Sequence, residues 1–96
     1  MSQWHEREAR LSNEQGIHAY PAHVVAAVAN CFESQIVIRY GEADFDAKAT
    51  LMLLQLNREE ITAKGTRLLV RAKGHKDASA AAAVVAAVLG SGFGED

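Results

Sequence analysis

Hydrophobic and polar positions change their period several times along this chain, and each change marks a boundary. From Arg7 to Leu11, Ala9 and Leu11 share one side while Arg7, Glu8 and Arg10 are polar, which predicts a short strand. Residues 12–16, Ser-Asn-Glu-Gln-Gly, read as a loop. Between Ala19 and Phe32 the apolar residues Val24, Val25, Val28, Ala29 and Phe32 recur at helical spacing, and Pro21 is tolerated only near the start of such a helix. Gln35 to Tyr40 holds Ile36, Val37, Ile38 and Tyr40, all good strand formers. After the turn Gly41-Glu42, Ala43, Phe45 and Ala47 alternate with Asp44, Asp46 and Lys48, a strand returning as a hairpin.

A second helix runs from Thr50 to about Glu60, with Lys64-Gly65 supplying a glycine stop signal. Arg67 to Lys73 alternates again, with Leu68, Val70 and Ala72 on one face. Gly74 to Asp77 turns into an alanine-rich helix for which Asp77 is the candidate N-cap. The order β-α-β-β-α-β-α predicts an α+β fold, an open-faced β-sandwich in which a four-stranded antiparallel sheet carries three helices on one face. It contains a split β-α-β unit. No repeat or linker divides the chain, so residues 1–96 are expected to form a single domain.

Composition narrows the functional classes. Ten basic and twelve acidic residues leave a net charge of -2, and aromatics are 6%, so nothing favours nucleic acid or an anionic membrane as a partner. Met1 to Arg10 has no apolar signal core, and the longest apolar run, Ala78 to Leu89, is too short to span a bilayer. A soluble chain in the cytoplasm is expected, without membrane insertion. Cys31 stands alone, which excludes an internal disulfide and suits a reducing compartment. It reads as a small buried apolar residue, with a reactive thiol as the other reading.

The chemistry concentrates in Gly16-Ile17-His18-Ala19-Tyr20-Pro21-Ala22. A helix start offers backbone N–H groups without intrahelical partners at the positive end of the dipole, a natural anion site. A histidine there can cap or pack, or it can hold a phosphoryl group against those donors. His23 lies five residues beyond His18 rather than the four that metal pairs on helices favour, and no cysteine pair or acidic set joins them, so no metal is expected. His5 and His75 are expected on the surface, and Asp44 and Asp46 on a solvated face. Leu51, Met52, Leu53, Leu54 and Leu56 cover more than one helical face, so either the helix is deeply buried or some of them are exposed. Thr50, Leu51 and Leu54 share a face and are the candidates for partner docking.

At six of seven positions the histidine segment resembles the G-[IL]-H-A-R-P-A active-site motif of HPr, the histidine phosphocarrier of the bacterial phosphotransferase system. The likeness continues through residues 30–34, the hairpin ending in Ala47-Lys48, residues 63–66, the turn at residues 72–74 and the closing residues 91–95. It implies the same β-α-β-β-α-β-α fold and a stoichiometric carrier rather than an enzyme. By the resemblance, His18 accepts phosphate on Nδ1 from Enzyme I, itself charged by phosphoenolpyruvate, and passes it to a downstream Enzyme IIA-type protein, as in sugar uptake. No bound cofactor is implied, only a covalent phosphohistidine on a monomer, held near Gly16 and the N–H groups of Ala19, Tyr20 and Ala22.

Three departures from the family pattern bear on function. Tyr20 stands where the family has arginine. Lys48 is followed by Ala49 rather than the regulatory serine, leaving Thr50 as the nearest hydroxyl. The stretch Leu56 to Gly65 is longer than usual, with the extra length within Asn57 to Thr62. The other readings are a regulatory paralogue, nitrogen-related or serving dihydroxyacetone phosphorylation, and a binding module that keeps the fold but transfers nothing.

Overall fold

The structure, a computed structural model, describes residues 3–13, 16–58 and 64–94. In chain order the elements are β1 (His5–Arg10), α1 (Ala19–Ala29), β2 (Gln35–Tyr40), β3 (Ala43–Asp46), α2 (Thr50–Arg58), β4 (Arg67–Lys73) and α3 (Ala78–Leu89), followed by a short 3-10 turn at Gly92–Gly94. The four strands form one antiparallel sheet in the order β1-β4-β2-β3. Because β4 inserts between β1 and β2, those two run parallel to each other with α1 as their crossover, the split β-α-β unit expected. All three helices lie on one side: α3 packs on β1 and β4, α2 on β3, and α1 against both other helices.

Alternation places the core. Leu68, Val70 and Ala72 of β4 face the helices beside Ile36 and Ile38 of β2, all nearly free of solvent. Val25 of α1, Leu53 and Leu56 of α2 and Val85 of α3 meet them from the helical side. Fully burying each such aliphatic side chain contributes about 1.5–3 kcal/mol. The alanines of α3 let that helix lie close to the sheet, with Ala78, Ala81 and Ala82 buried.

Helix α1 ends three residues earlier than its apolar spacing predicts. Asn30 Nδ2 donates to Ala26 O at 2.7 Å and to Lys48 O at 3.0 Å, fastening the helix end to the segment before α2. The N–H groups of Cys31 and Phe32 then reach back only three residues, to Val28 O and Ala29 O, the tightened geometry of a closing turn. That exit leaves Cys31 exposed, not buried as expected. Lys64-Gly65 also differs in role: Gly65, at φ +91°, donates its N–H to Leu11 O at 2.7 Å and shapes the return into β4. The expected continuation of α2 to about Glu60, most of the Asn57–Thr62 extension, Ala63 and Glu95 lie outside the described residues.

Asp77 occupies the N-cap position of α3, yet its side chain makes no capping bond. Instead its carboxylate accepts the Ser34 hydroxyl, the Glu33 N–H at 2.9 Å and the Ser34 N–H at 3.2 Å, pinning the α1–β2 loop to the β4–α3 turn. The Ser34 hydroxyl first, then the Glu33 N–H, hold the Asp77 carboxyl down at about 2 from its usual 3.8. His75 is on the surface as expected but not isolated, since Nε2 lies 3.1 Å from Glu33 Oε2 and Nδ1 3.3 Å from Asp77 Oδ1. Asp44 and Asp46 are likewise more than solvated surface. Asp44 takes a two-pronged contact from Arg39 at 2.8 and 3.2 Å, and Asp46 Oδ1 accepts the Lys48 N–H at 2.9 Å just before α2.

Candidate functional site: the start of helix α1

Four contacts fix the loop that presents His18. Where β1 ends, the Leu11 N–H donates to Thr66 O at 2.9 Å and the Leu11 carbonyl accepts the Gly65 N–H, so the chain leaves the sheet at a defined point. Ser12 Oγ then donates to Gly90 O at 3.0 Å, tying the loop to the end of α3. Buried Asn13 donates from Nδ2 to Gly16 O at 2.7 Å and closes a local turn. Gly16 adopts φ +64°, a left-handed conformation that side chains resist, and this reverses the chain toward α1. Fully buried Ile17 anchors the following step in the core.

His18 is therefore held from below and presented outward. It is the N-cap residue of α1, in an extended conformation (φ -81°, ψ -167°), half-exposed, and its ring makes no capping bond to the helix. The first intrahelical bond runs from the Ala22 N–H to His18 O at 2.9 Å. Ala22 is thus removed from the expected phosphate donors, because its N–H is spent inside the helix. Pro21 has no N–H. The Ala19 and Tyr20 N–H groups precede the first intrahelical bond, at the positive end of the dipole. Tyr20 is 56% exposed and brings a hydroxyl but no charge.

Helix α2 resolves the leucine surplus. Leu53 and Leu56 are fully buried, Met52 and Leu54 pack partly against the core, and Leu51 is 78% exposed. Of the expected docking trio, Leu51 stands outward and Thr50 is half-buried, whereas Leu54 belongs largely to the packing. Before the helix, the Ala49 carbonyl accepts the Met52 and Leu53 N–H groups, and its methyl side chain offers no hydroxyl. Among the described residues no three His, Cys, Asp or Glu side chains gather to hold a metal. None of the described helices is long and apolar enough to cross a membrane.

The supports at Ser12 and Asn13 were not singled out from the sequence. Asn13 three residues before Gly16 is a readable turn signal. The reach of Ser12 to Gly90 depends on the fold. The closing turn also packs against this loop, since a Cβ added at Gly92 would meet Ser12 Oγ at 3.2 Å.

A half-exposed histidine at a helix start, with the Ala19 and Tyr20 N–H groups beside it on an open-faced α/β sandwich, is an arrangement that can hold a phosphoryl group. The family model for the PTS HPr component phosphorylation site matches residues 5–89, nearly the whole chain, which therefore belongs to the HPr family of phosphotransferase-system carriers. Phosphocarrier protein NPr of Escherichia coli K12 is 32% identical over 92 residues, covering 95% of this chain and 97% of that protein. The NPr of Shewanella violacea is 33% identical over 90 residues, covering 94% and 93%. Among solved structures, HPr-C-His from Thermoanaerobacter tengcongensis superposes with a TM-score of 0.81 at 26% identity, covering 95% of this chain and 97% of that one. HPr from Bacillus anthracis, at 22% identity and TM-score 0.77 over 90% and 96%, shares the fold.

Family membership carries the general chemistry. HPr-family proteins relay a phosphoryl group through a histidine as stoichiometric carriers, with a covalent phosphohistidine in place of a bound cofactor. They exchange it with Enzyme I and with downstream Enzyme IIA-type proteins.

Proposed function

We propose that this chain is a cytoplasmic phosphocarrier that accepts its phosphoryl group on His18, and that it serves a regulatory, nitrogen-related branch rather than sugar uptake. The observation that carries the site is the placement of His18 at the N-cap of α1, half-exposed, with the Ala19 and Tyr20 N–H groups ahead of the first intrahelical bond. The neutral ring attacks through Nδ1. A P–N bond forms there as the P–N bond of the donor phosphohistidine breaks, and return transfer to the acceptor reverses the step. Backbone donors in an open site stabilise the dianion modestly, which suits a carrier, since each 1.4 kcal/mol shifts the transfer equilibrium tenfold. Support for the regulatory branch comes from the curated relatives, which bear the name NPr, where sugar uptake was the first expectation.

Ala49 fits a carrier that a serine-directed kinase does not control, because no hydroxyl stands at that position and the Thr50 side chain is half-buried. Leu51 is the docking residue on α2, with Thr50 at its edge. The test is incubation with phosphoenolpyruvate, magnesium and Enzyme I, followed by intact mass measurement. An acid-labile gain of one phosphate, absent in His18→Ala, is expected. No gain with Enzyme I proteins of either the sugar or the nitrogen branch favours the non-transferring binding module instead.

A further inference from the structure

Helix α1 holds a second histidine, His23, which the transfer step at His18 does not use. It is exposed, three residues after Tyr20 and four after Ala19, both exposed as well. At those two spacings helical side chains are neighbours, about 5–6 Å apart at Cβ, and they lean toward the helix N-terminus. His23 therefore leans toward the turn that carries the Ala19 and Tyr20 N–H groups, beside which a phosphoryl group on His18 rests. Ala19 ends in a methyl group and leaves that path open.

Charge gives the placement its meaning. A phosphoryl group brings about 1.5 to 2 negative charges near neutral pH. No Asp, Glu, Lys or Arg occurs in α1 or in α3. The one formal charge on α2 is that of Arg58, its last residue. Asn30 fastens the end of α1 to Lys48 just ahead of α2, and the two helices pack together, so α2 runs back toward the start of α1 with Arg58 at that end. The arginine charge is permanent. Glu14, in the loop before His18, lies outside the described residues. Among the described residues of the three helices, His23 is thus the side chain whose charge changes between about pH 5 and 8.

Resting on the reading of His18 as the phosphoryl acceptor, we propose that His23 is a proton-controlled counter-charge for the phosphorylated ring, neutral beside an empty His18 and protonated beside a loaded one. Loading draws a proton from water onto the His23 ring, and departure of the cargo returns it. The coupling is reciprocal: a dianion that favours the imidazolium is favoured by it to the same extent. This contribution strengthens the hold on the phosphoryl group as pH falls and fades as pH rises. Across an open, wet site it amounts to about a threefold to tenfold shift in the transfer equilibrium, small enough for the cargo still to leave. His23 takes no part in bond making at Nδ1 and acts as a positioning residue through its charge.

The test is a competition, which cancels every pH effect that the competing proteins share. Equal amounts of the full chain and its His23→Gln variant are equilibrated with limiting phosphorylated Enzyme I at about pH 6 and about pH 8, and the phosphate on each is read from intact mass in alkaline solution. The unaltered chain should hold about threefold more phosphate than His23→Gln at the lower pH and an equal share at the higher. His23→Lys, charged at both, should equal the unaltered chain at the lower pH and exceed it about threefold at the higher. Because position 23 is exposed, both variants should keep the melting temperature. Equal shares at both pH values, an advantage over His23→Gln that does not change with pH, or a His23→Lys variant that behaves as His23→Gln does, each overturns the proposal. Any of these with phosphate on His18 sinks the counter-charge alone, whereas no phosphate on any of the three proteins sinks the carrier reading and the counter-charge with it.

Discussion

The two faces of this molecule solve the problem of exposure in opposite ways. On the open face of the sheet, register brings Glu6, Arg71, Val37 and Asp46 into one row across the four strands, with Asp44 and Arg39 in the next. Arg71 joins Glu6 at 2.7 Å and Asp44 at 3.8 Å, and Asp44 is shared with Arg39. The Trp4 ring lies 4.4 Å from both the Arg71 guanidinium and the Lys73 ammonium. The charges on this face thus answer one another. Among the described residues, the outer side of α1 and α2 shows no such network of ion pairs and leaves Tyr20 and Leu51 exposed. One face satisfies its polar groups internally; the other leaves apolar side chains exposed on the helices that flank His18.

Substitutions on α2 give the sharpest test of that contrast and the largest expected effect. Leu53→Ala, beneath the surface, should cost about 2–5 kcal/mol in chemical denaturation. Leu51→Ala, two residues away, should stay within about 0.5 kcal/mol. Comparable losses would mean that Leu51 is a packing residue and that the helical face is not free. Charging Leu54 should fall between them, because it packs partly against the core.

Asp77 provides the next test, through pH. Its folded carboxyl sits at about 2, below the usual 3.8, chiefly because the Ser34 hydroxyl and the Glu33 N–H bond the ionised form. A depressed carboxyl stabilises the fold fully above its unfolded value and loses that contribution as pH falls through the folded one. Melting temperature should therefore show a component falling between about pH 4 and pH 2. Asp77→Asn should be less stable at neutral pH and should lack that component. Parallel acid profiles for the two proteins would show that the loop–turn link contributes nothing. Asp44, lowered by Arg39, adds a change of the same sign from the sheet face.

Smaller effects are expected on the sheet face itself. Arg71→Ala removes two ion pairs and a cation–π contact and should cost about 1 kcal/mol, less at high salt. Stability unchanged by the substitution at low salt would mean the network is ornamental. Tyr20→Arg should change stability least of all. Phosphoryl transfer within the complex should accelerate as a cation joins the site. Slower transfer within the complex would show that Tyr20 is not a weaker substitute for arginine.

The period changes along the chain made the architecture legible. Strand β4 begins and ends where alternation predicts and β2 where its run of strand-forming residues does, and the starts of α1 and α2 follow from Pro21 and Thr50. The histidine segment was equally readable, because turn chemistry and helix capping are local: Gly16, His18 and Pro21 act within one turn of the chain. Positions whose partners lie far along the sequence were not. Cys31 looked like core and is exposed because Asn30 closes the helix through the distant Lys48 carbonyl. Asp77 looked like a cap and instead holds Ser34, forty-three residues earlier. A run of leucines cannot reveal which of its members faces a neighbouring helix, so Leu51 and Leu54 parted only when α2 was laid on β3 and α1. The sequence alone determined most of the elements, which rest on short-range rules, and through its resemblance to a known family it singled out His18 as the candidate residue. Only the tertiary structure decided which backbone donors at the start of α1 stay outside the intrahelical ladder and which apolar side chains stay exposed, because burial is a property of what packs against a residue.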